Sequence, residues 1–189
     1  MVGRLVVFNS VSLDGYFTDA RGDMSWARKD EHDAEWNAFV EDNARGGGTL
    51  VFGRITYEMM ASFWPTPMAA AMMPAVAERM NSLPKVVFSR TLHTATWNNT
   101  TLVKGDIAAE VREMKRQPGM DMAILGSGSI VSQLAQEHLI DEYQVVVTPV
   151  ALGGGRTMFE GVKKRLLLKL TRTRAFANGN VLLCYEPIR

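Results

Sequence analysis

Short apolar runs along the chain alternate with stretches in which apolar residues recur every three or four positions. The runs are Leu5 to Val11, Thr49 to Phe52, Lys85 to Phe88, Thr101 to Lys104, Met122 to Leu125 and Tyr143 to Val147. The run at Leu5 is continuous rather than alternating, which predicts a central strand covered on both faces. The spaced segments predict helices. Trp36, Phe39 and Val40 share a face after a cap at Asp30, and a second helix begins at Gly53-Arg54 and is cut short at Trp64-Pro65-Thr66-Pro67. Another starts near Pro74 with Met73, Val76, Ala77 and Met80 on one side. Asp106 caps a helix that buries Ile107, Val111 and Met114 and stops at Gln117-Pro118-Gly119, and a last helix runs from Gly128 to near Leu139. From Leu166 to Phe176 and from Val181 to Glu186, two strand-like segments flank Asn178-Gly179, the pattern of an antiparallel hairpin. Together these elements predict one α/β domain over residues 1–189, with the hairpin added at the sheet edge.

Three of the apolar strands end in small or cationic residues, at Ser12-Leu13-Asp14-Gly15, Gly53-Arg54-Ile55-Thr56 and Ser89-Arg90, and the run Met122 to Leu125 stops at Gly126-Ser127-Gly128-Ser129-Ile130. The carboxyl edge of an α/β sheet is where ligands bind, and a helix N-terminus has N–H groups free for an anion. Gly126-Ser127-Gly128 lacks the third glycine of the dinucleotide fingerprint, so by itself it reads equally as turn geometry. If it is an anion site, a side chain at Gly126 or Gly128 crowds the ligand more than it harms the fold. The loop after the first strand, from Ser12-Leu13-Asp14-Gly15-Tyr16 to Asp23, is long and carries apolar groups, the mark of a functional loop rather than a disordered one.

Composition narrows the chemistry. A chain of 189 residues with a formal net charge of +1 and no long block of one sign gives no electrostatic case for nucleic acid or an anionic membrane. Small molecules are the expected partners. The single cysteine, Cys184, excludes an internal disulfide and a cysteine-cluster metal site, and its apolar setting predicts a buried thiol in a reducing compartment. No run reaches membrane-spanning length and the N-terminus does not read as a secretory leader, so the expected location is cytoplasmic. His32, His93 and His138 lack metal-ligand spacing. Met59, Met60, Met68, Met72, Met73 and Met80 cluster around Trp64-Pro65, either as a pliable core stripe or as an adaptable wall for a flat heterocycle.

Taken in order, Ser12-Leu13-Asp14-Gly15, Gly53-Arg54-x-Thr56-Tyr57-Glu58, Ser89-Arg90, Gly126-Ser127-Gly128 and Pro149-x-x-Leu152-Gly153-Gly154-Gly155 give the chain its resemblance to a known family. It resembles the dihydrofolate reductase-like superfamily, and more closely the riboflavin-biosynthesis reductase C-terminal domain. That resemblance implies a three-layer α/β fold, a mixed and mostly parallel sheet of about eight strands flanked by helices. It also implies an NADPH site across the carboxyl ends of the central strands. Gly53, Arg54 and Thr56 match the turn that contacts the cofactor phosphates. Ser89 and Arg90 match the strand end at the adenosine ribose and its 2′-phosphate, and Gly126, Ser127, Gly128, Ser129 and Ile130 match the pyrophosphate loop. Arginine's planar fork suits phosphate, in keeping with NADPH over NADH.

The Ser12 to Tyr16 loop matches the mobile cover over the nicotinamide. Asp14 is the candidate catalytic group, though an aspartate before Gly15 also reads as a turn residue. Ser12, Tyr16, Trp26 and Trp64 are the candidate substrate contacts. In folate-reducing relatives a carboxylate follows a tryptophan; here Trp26 is followed by Asp30, Glu31, Asp33 and Glu35, but Ala27-Arg28-Lys29 departs from that pattern. The zinc deaminase signature that often precedes the reductase domain is absent. The expected activity is metal-free, NADPH-dependent reduction of a small nitrogen heterocycle by direct hydride transfer. The substrate is pyrimidine-like, as in 5-amino-6-(5-phosphoribosylamino)uracil reduction, or pterin-like. A catalytically inactive dinucleotide- or ligand-binding protein on the same fold is the alternative. The family's habit and an apolar edge hairpin point to a homodimer.

Overall fold

The computed structural model describes residues 3–27, 33–46 and 48–188. Its main sheet has eight strands: β1 (Leu5–Ser12), β3 (Thr49–Gly53), β4 (Lys85–Phe88), β5 (Thr100–Val103), β6 (Met122–Leu125), β7 (Glu142–Thr148), β9 (Leu168–Ala175) and β10 (Val181–Pro187). Their order is β5-β4-β3-β6-β1-β7-β10-β9. Neighbours from β5 to β7 are parallel, and β10 pairs antiparallel with both β7 and β9. The expected mixed sheet with an antiparallel C-terminal hairpin is what forms.

Helices cover both faces. On one, α5 (Ile107–Arg116) and α6 (Gly128–Gln136) bury Val111, Ile130, Val131 and Leu134 against Leu5, Val7, Val51 and Ile124. On the other, α2 (Arg54–Phe63) and α4 (Pro74–Ser82) set Tyr57, Val76 and Met80 against Leu50, Phe52 and Val87. On that same face, α1 (Ala34–Arg45) packs Trp36 with Val146, Phe176, Leu182 and the buried thiol of Cys184.

Several local expectations are corrected. The expected cap Asp30 lies outside the described residues, as do Glu31 and His32; α1 is capped by Asp33, whose carboxylate accepts from Trp36 N at 2.9 Å. A six-residue helix, α3 (Pro67–Met72), fills the break before Pro74, capped by Thr66 with Pro67 in its first turn. It leaves Met68 and Met72 exposed, so the methionine cluster is not one core stripe. The last helix, α6, ends at Gln136 because His138 turns left-handed, with φ 53°. The long loop after β1 holds a short strand, β2 (Tyr16–Thr18), paired with β8 (Arg156–Thr157). That pairing needs Gly155, where a Cβ would stand 2.0 Å from Thr18 O. Burial along β1 alternates, because Val6, Phe8 and Ser10 line a cavity.

The β4-to-β5 connection crosses with no helix and is pinned by Trp97, whose backbone N donates to Tyr57 Oη at 2.9 Å. Lys85 is buried at the start of β4, its Nζ 4.5 Å from the Trp97 ring centre. The ammonium donates to Leu83 O at 2.7 Å, Asn98 O at 3.0 Å and Asn81 O at 3.1 Å. Burial pulls its pKa down to about 8, while three carbonyl acceptors act the other way and hold the proton. In Lys85→Met these buried carbonyls lose their donor, and we expect a loss of roughly 1–3 kcal/mol in urea unfolding. An unchanged midpoint would show that Lys85 does not anchor this edge.

Candidate functional site

At the carboxyl edge, two strand-to-helix turns are tied to each other. Gly53 N, at the start of α2, donates to Ser127 Oγ at 2.7 Å, and Ser127 N, at the start of α6, donates to Thr56 Oγ1 at 3.1 Å. Asn9 of β1 grips the second turn from the other side: Gly126 N donates to its Oδ1 at 2.7 Å and its Nδ2 donates to Gly126 O at 3.3 Å. Two helix N-termini therefore face one cleft with their relative position locked. Thr56 and Ser127 use their oxygens as acceptors inside the protein, leaving each hydroxyl proton unengaged among the described residues.

The cleft has a volume of about 700 Å³. Gly53, Arg54, Thr56, Ser89, Arg90, Ser127, Gly128, Ser129 and Ile130 all line it. Arg21, Lys104 and Arg156 join Arg54 and Arg90 to make five cations, with Asp106 as the one lining acid among the described residues. Asp106 is itself engaged, accepting from Ala109 N at 2.7 Å as the cap of α5. Arg54 pairs with Glu58 at 2.9 Å and Arg156 with Glu160 at 3.5 Å, whereas Arg90 and Lys104 have no ion pair among the described residues. The Ser89 hydroxyl accepts from Thr91 N and Leu92 N, which shapes the turn that presents Arg90.

A second cavity, of about 410 Å³, lies between the sheet and helices α1, α2 and α4 and meets the cleft at Met24, Thr56 and Met59. Gly126 borders this cavity rather than the cleft, and Trp64 lines it together with Met60 and Met80. The three other expected substrate contacts line neither space. Ser12 is buried, with its hydroxyl donating to Asp14 at 2.6 Å and accepting from Tyr16 N at 2.9 Å. Tyr16 belongs to β2, and Trp26 Nε1 donates to Asp23 O at 3.1 Å in a short 3-10 turn.

The candidate catalytic Asp14 stands apart from both spaces and acts as a clamp. Its carboxylate accepts from Leu152 N at 3.1 Å and Gly153 N at 2.7 Å, joining the loop after β1 to the glycine-rich loop after β7. The Ser12 hydroxyl first, and then those two amides, hold its pKa down at about 2, so it is a fixed anion and not a proton donor near neutrality. The expectation for Gly126 and Gly128 also changes. A Cβ on Gly126, at φ 64°, would come within 2.8 Å of Thr56 Cγ2, and one on Gly128 within 2.9 Å of the Phe17 ring. These glycines permit close packing inside the protein, so a side chain there harms the fold before it meets any ligand. Asn9, Met24 and Lys104 went unmarked as site residues in the sequence; only the pairing of β1 with β6 gives Asn9 its meaning.

The RibD C-terminal domain model matches residues 4–182. The chain belongs to that family. It is 28% identical over 183 residues to the uncharacterized protein YyaP of Bacillus subtilis (strain 168), covering 97% of this chain and 94% of that one. Among solved structures it is similar to a putative riboflavin biosynthesis protein from Shewanella sp. PV-4, with a TM-score of 0.74, 24% identity and full coverage of both chains. A dihydrofolate reductase from Enterococcus faecalis complexed with NADP(H) shares the fold at a TM-score of 0.65 and 15% identity, over 100% of this chain and 99% of that one. The RibD-type domain thus has a reductase-like fold, with a cleft at the carboxyl edge of its sheet and a second cavity beside it that reaches toward the amino-terminal edge.

The Asp14 clamp gives a signed pH dependence. Because its folded pKa is depressed, its stabilisation is present above the ordinary value of 3.8 and is lost as pH falls toward about 2. Asp14→Asn should flatten the acid limb of the melting curve between those pH values while leaving ligand affinity near neutrality within about twofold. An acid limb identical to the parent's would show that the carboxylate does not tie the loops together.

Proposed function

We propose that this chain is an NADPH-dependent reductase of a small nitrogen heterocycle. The observation that carries this is the convergence of two cross-linked helix N-termini and five cations on one cleft, with a separate cavity opening beside it. Backbone N–H groups of α2 and α6 suit a pyrophosphate, and Arg90, with no ion pair among the described residues, suits the further phosphate that distinguishes NADPH from NADH. When bound, the cofactor supplies the hydride. The residues on this chain bind and orient it and shelter the junction at Thr56 and Met59 from water. Among the described residues no titratable side chain lines that junction. The same observation favours the second reading, a protein that binds the dinucleotide without turnover.

Calorimetry should find NADPH bound at least about tenfold more tightly than NADH, one charge-assisted contact being worth about 1.5–3 kcal/mol. Arg90→Ala should erase most of that preference without changing the apo melting temperature, because Arg90 is exposed and has no ion pair among the described residues. Equal affinities for the two cofactors would overturn the cleft assignment. A turnover screen over pyrimidine and pterin compounds separates catalysis from binding alone.

The reading includes a cytoplasmic homodimer. No helix among the described residues is long and apolar enough to cross a membrane. The outermost strand, β9, is exposed on both faces and, contrary to the expected apolar edge, carries Lys169, Arg172 and Arg174 around an exposed Leu170. Cations of that kind blunt edge-to-edge pairing, so a partner would cover the faces of the hairpin rather than extend the sheet. Light scattering at micromolar concentration should give twice the chain mass; a monomer mass would remove the dimer.

A further inference from the structure

Arg79 lines the second cavity with hydrogen-bonding capacity that the fold leaves unused. It stands in the last turn of α4, which passes through Leu83 and Pro84 straight into β4, so it borders the amino-terminal end of the cavity, away from the junction at Thr56 and Met59. Its Nε is buried without a hydrogen-bond partner, and its guanidinium has no ion pair among the described residues. The other charges lining the cavity are engaged: Arg4 pairs with Glu142 at 3.1 Å and Glu186 at 3.4 Å, and Asp121 accepts from Arg4 N at 2.8 Å. A cation in the last turn of a helix suits the helix dipole, which accounts for the charge but not for a buried N–H left without an acceptor.

Much of the remaining wall is apolar, built from Met60, Trp64, Val76, Met80 and Leu125. We infer that Arg79 anchors a carboxylate at one end of a flat, otherwise apolar molecule whose other end reaches the junction. Nε and one Nη of a guanidinium present two parallel N–H groups at the spacing of a carboxylate's two oxygens. One negative charge also matches the one free cation, whereas a phosphate monoester brings about two and would share the cavity with Asp121. Arg21 and Arg54 line the cleft beside Met24 and Thr56, so a phosphate at the junction has its own cations, and the assignment concerns the Arg79 end alone. As a statement about substrate it rests on the reductase reading and narrows it to heterocycles that carry an acid group distant from the reduced bond. As a statement about binding it stands on Arg79. A volume of about 410 Å³ is within the range of small-molecule sites.

The probes are 2-naphthoate, its neutral counterpart 2-naphthamide, and 2-naphthyl phosphate, each titrated by calorimetry into the full chain. NADPH binding is measured separately, so its failure overturns the reductase reading while the Arg79 comparison remains readable. Arg79→Met keeps an apolar stem and removes the charge; Arg79→Gln is the second variant should the first not fold. The expected result is an affinity for 2-naphthoate that falls at least about tenfold in the variant, while those for the amide and the phosphate fall less than about threefold. The urea midpoint of the ligand-free variant stays at or above the parent's, because the buried Nε makes no internal hydrogen bond to lose. Four results overturn the inference: 2-naphthoate that fails to bind the parent, 2-naphthoate affinity unchanged in a folded variant, a loss for the phosphate or the amide as large as for 2-naphthoate, or a midpoint that falls together with the affinity, the mark of an arginine that holds the fold.

Discussion

Gly53 N to Ser127 Oγ, and Ser127 N to Thr56 Oγ1, are two hydrogen bonds on which the shape of the carboxyl edge depends. Each satisfies an N–H that a strand has ceased to use and a helix cannot yet use. They become possible because β3 and β6 are adjacent and parallel, so their turns arrive at the same level. Asn9 extends the tie to β1 by matching both backbone polar groups of Gly126, much as another strand would. Ser127 occupies a left-handed conformation at φ 55°, an uncommon one for a residue with a side chain, and both its N–H and its hydroxyl oxygen are engaged there. Without the tie, α2 and α6 could not hold their N-termini toward one ligand.

The same economy of local groups shapes the rest of the edge. Asp14 uses its charge to hold the loop after β1 to the loop after β7, and Asp106 and Ser89 use their side chains to shape the turns beside the cleft. What remains outward is cationic: Arg90 and Lys104 follow β4 and β5, and Arg21 and Arg156 come from the segments around β2 and β8. The cleft's five cations come from separate stretches of the chain, yet they converge on one rim, and the chain's near-neutral net charge conceals a local positive field. Beneath it, α1 and α4 stand far enough from β1 and β6 to leave an apolar space where a closer fit would have completed the core.

Much of this was legible from the sequence. Lys85–Phe88, the Asp106 cap and the end of its helix, the hairpin around Asn178-Gly179 and the buried Cys184 rest on propensity, capping and periodicity within a few residues. Motif order identified the family, and the structure brings nine of the ten residues it named for a cofactor to the lining of one cleft. The misses have a common form. Short β2 and β8 have too few residues for a period, and α3 hid between prolines. Trp26, Tyr16 and Ser12 are aromatic or polar residues in a functional-looking loop, but their neighbours engage them internally.

The sequence by itself determined the order of the main strands and helices and the glycine-marked turns, because backbone stereochemistry and hydrophobic period act over short distances along the chain, and the mostly parallel sheet followed from the family resemblance. Tertiary structure alone decided that Asp14 is a clamp, that Gly126 and Gly128 make room for Thr56 and Phe17, and that the methionines divide between a cavity wall and open surface. Those outcomes depend on contacts between residues 71 to 139 positions apart, as between Ser127 and Thr56 and between Gly153 and Asp14. A side chain's role follows from which donors, acceptors and apolar surfaces reach it, and only the packed fold brings them within reach.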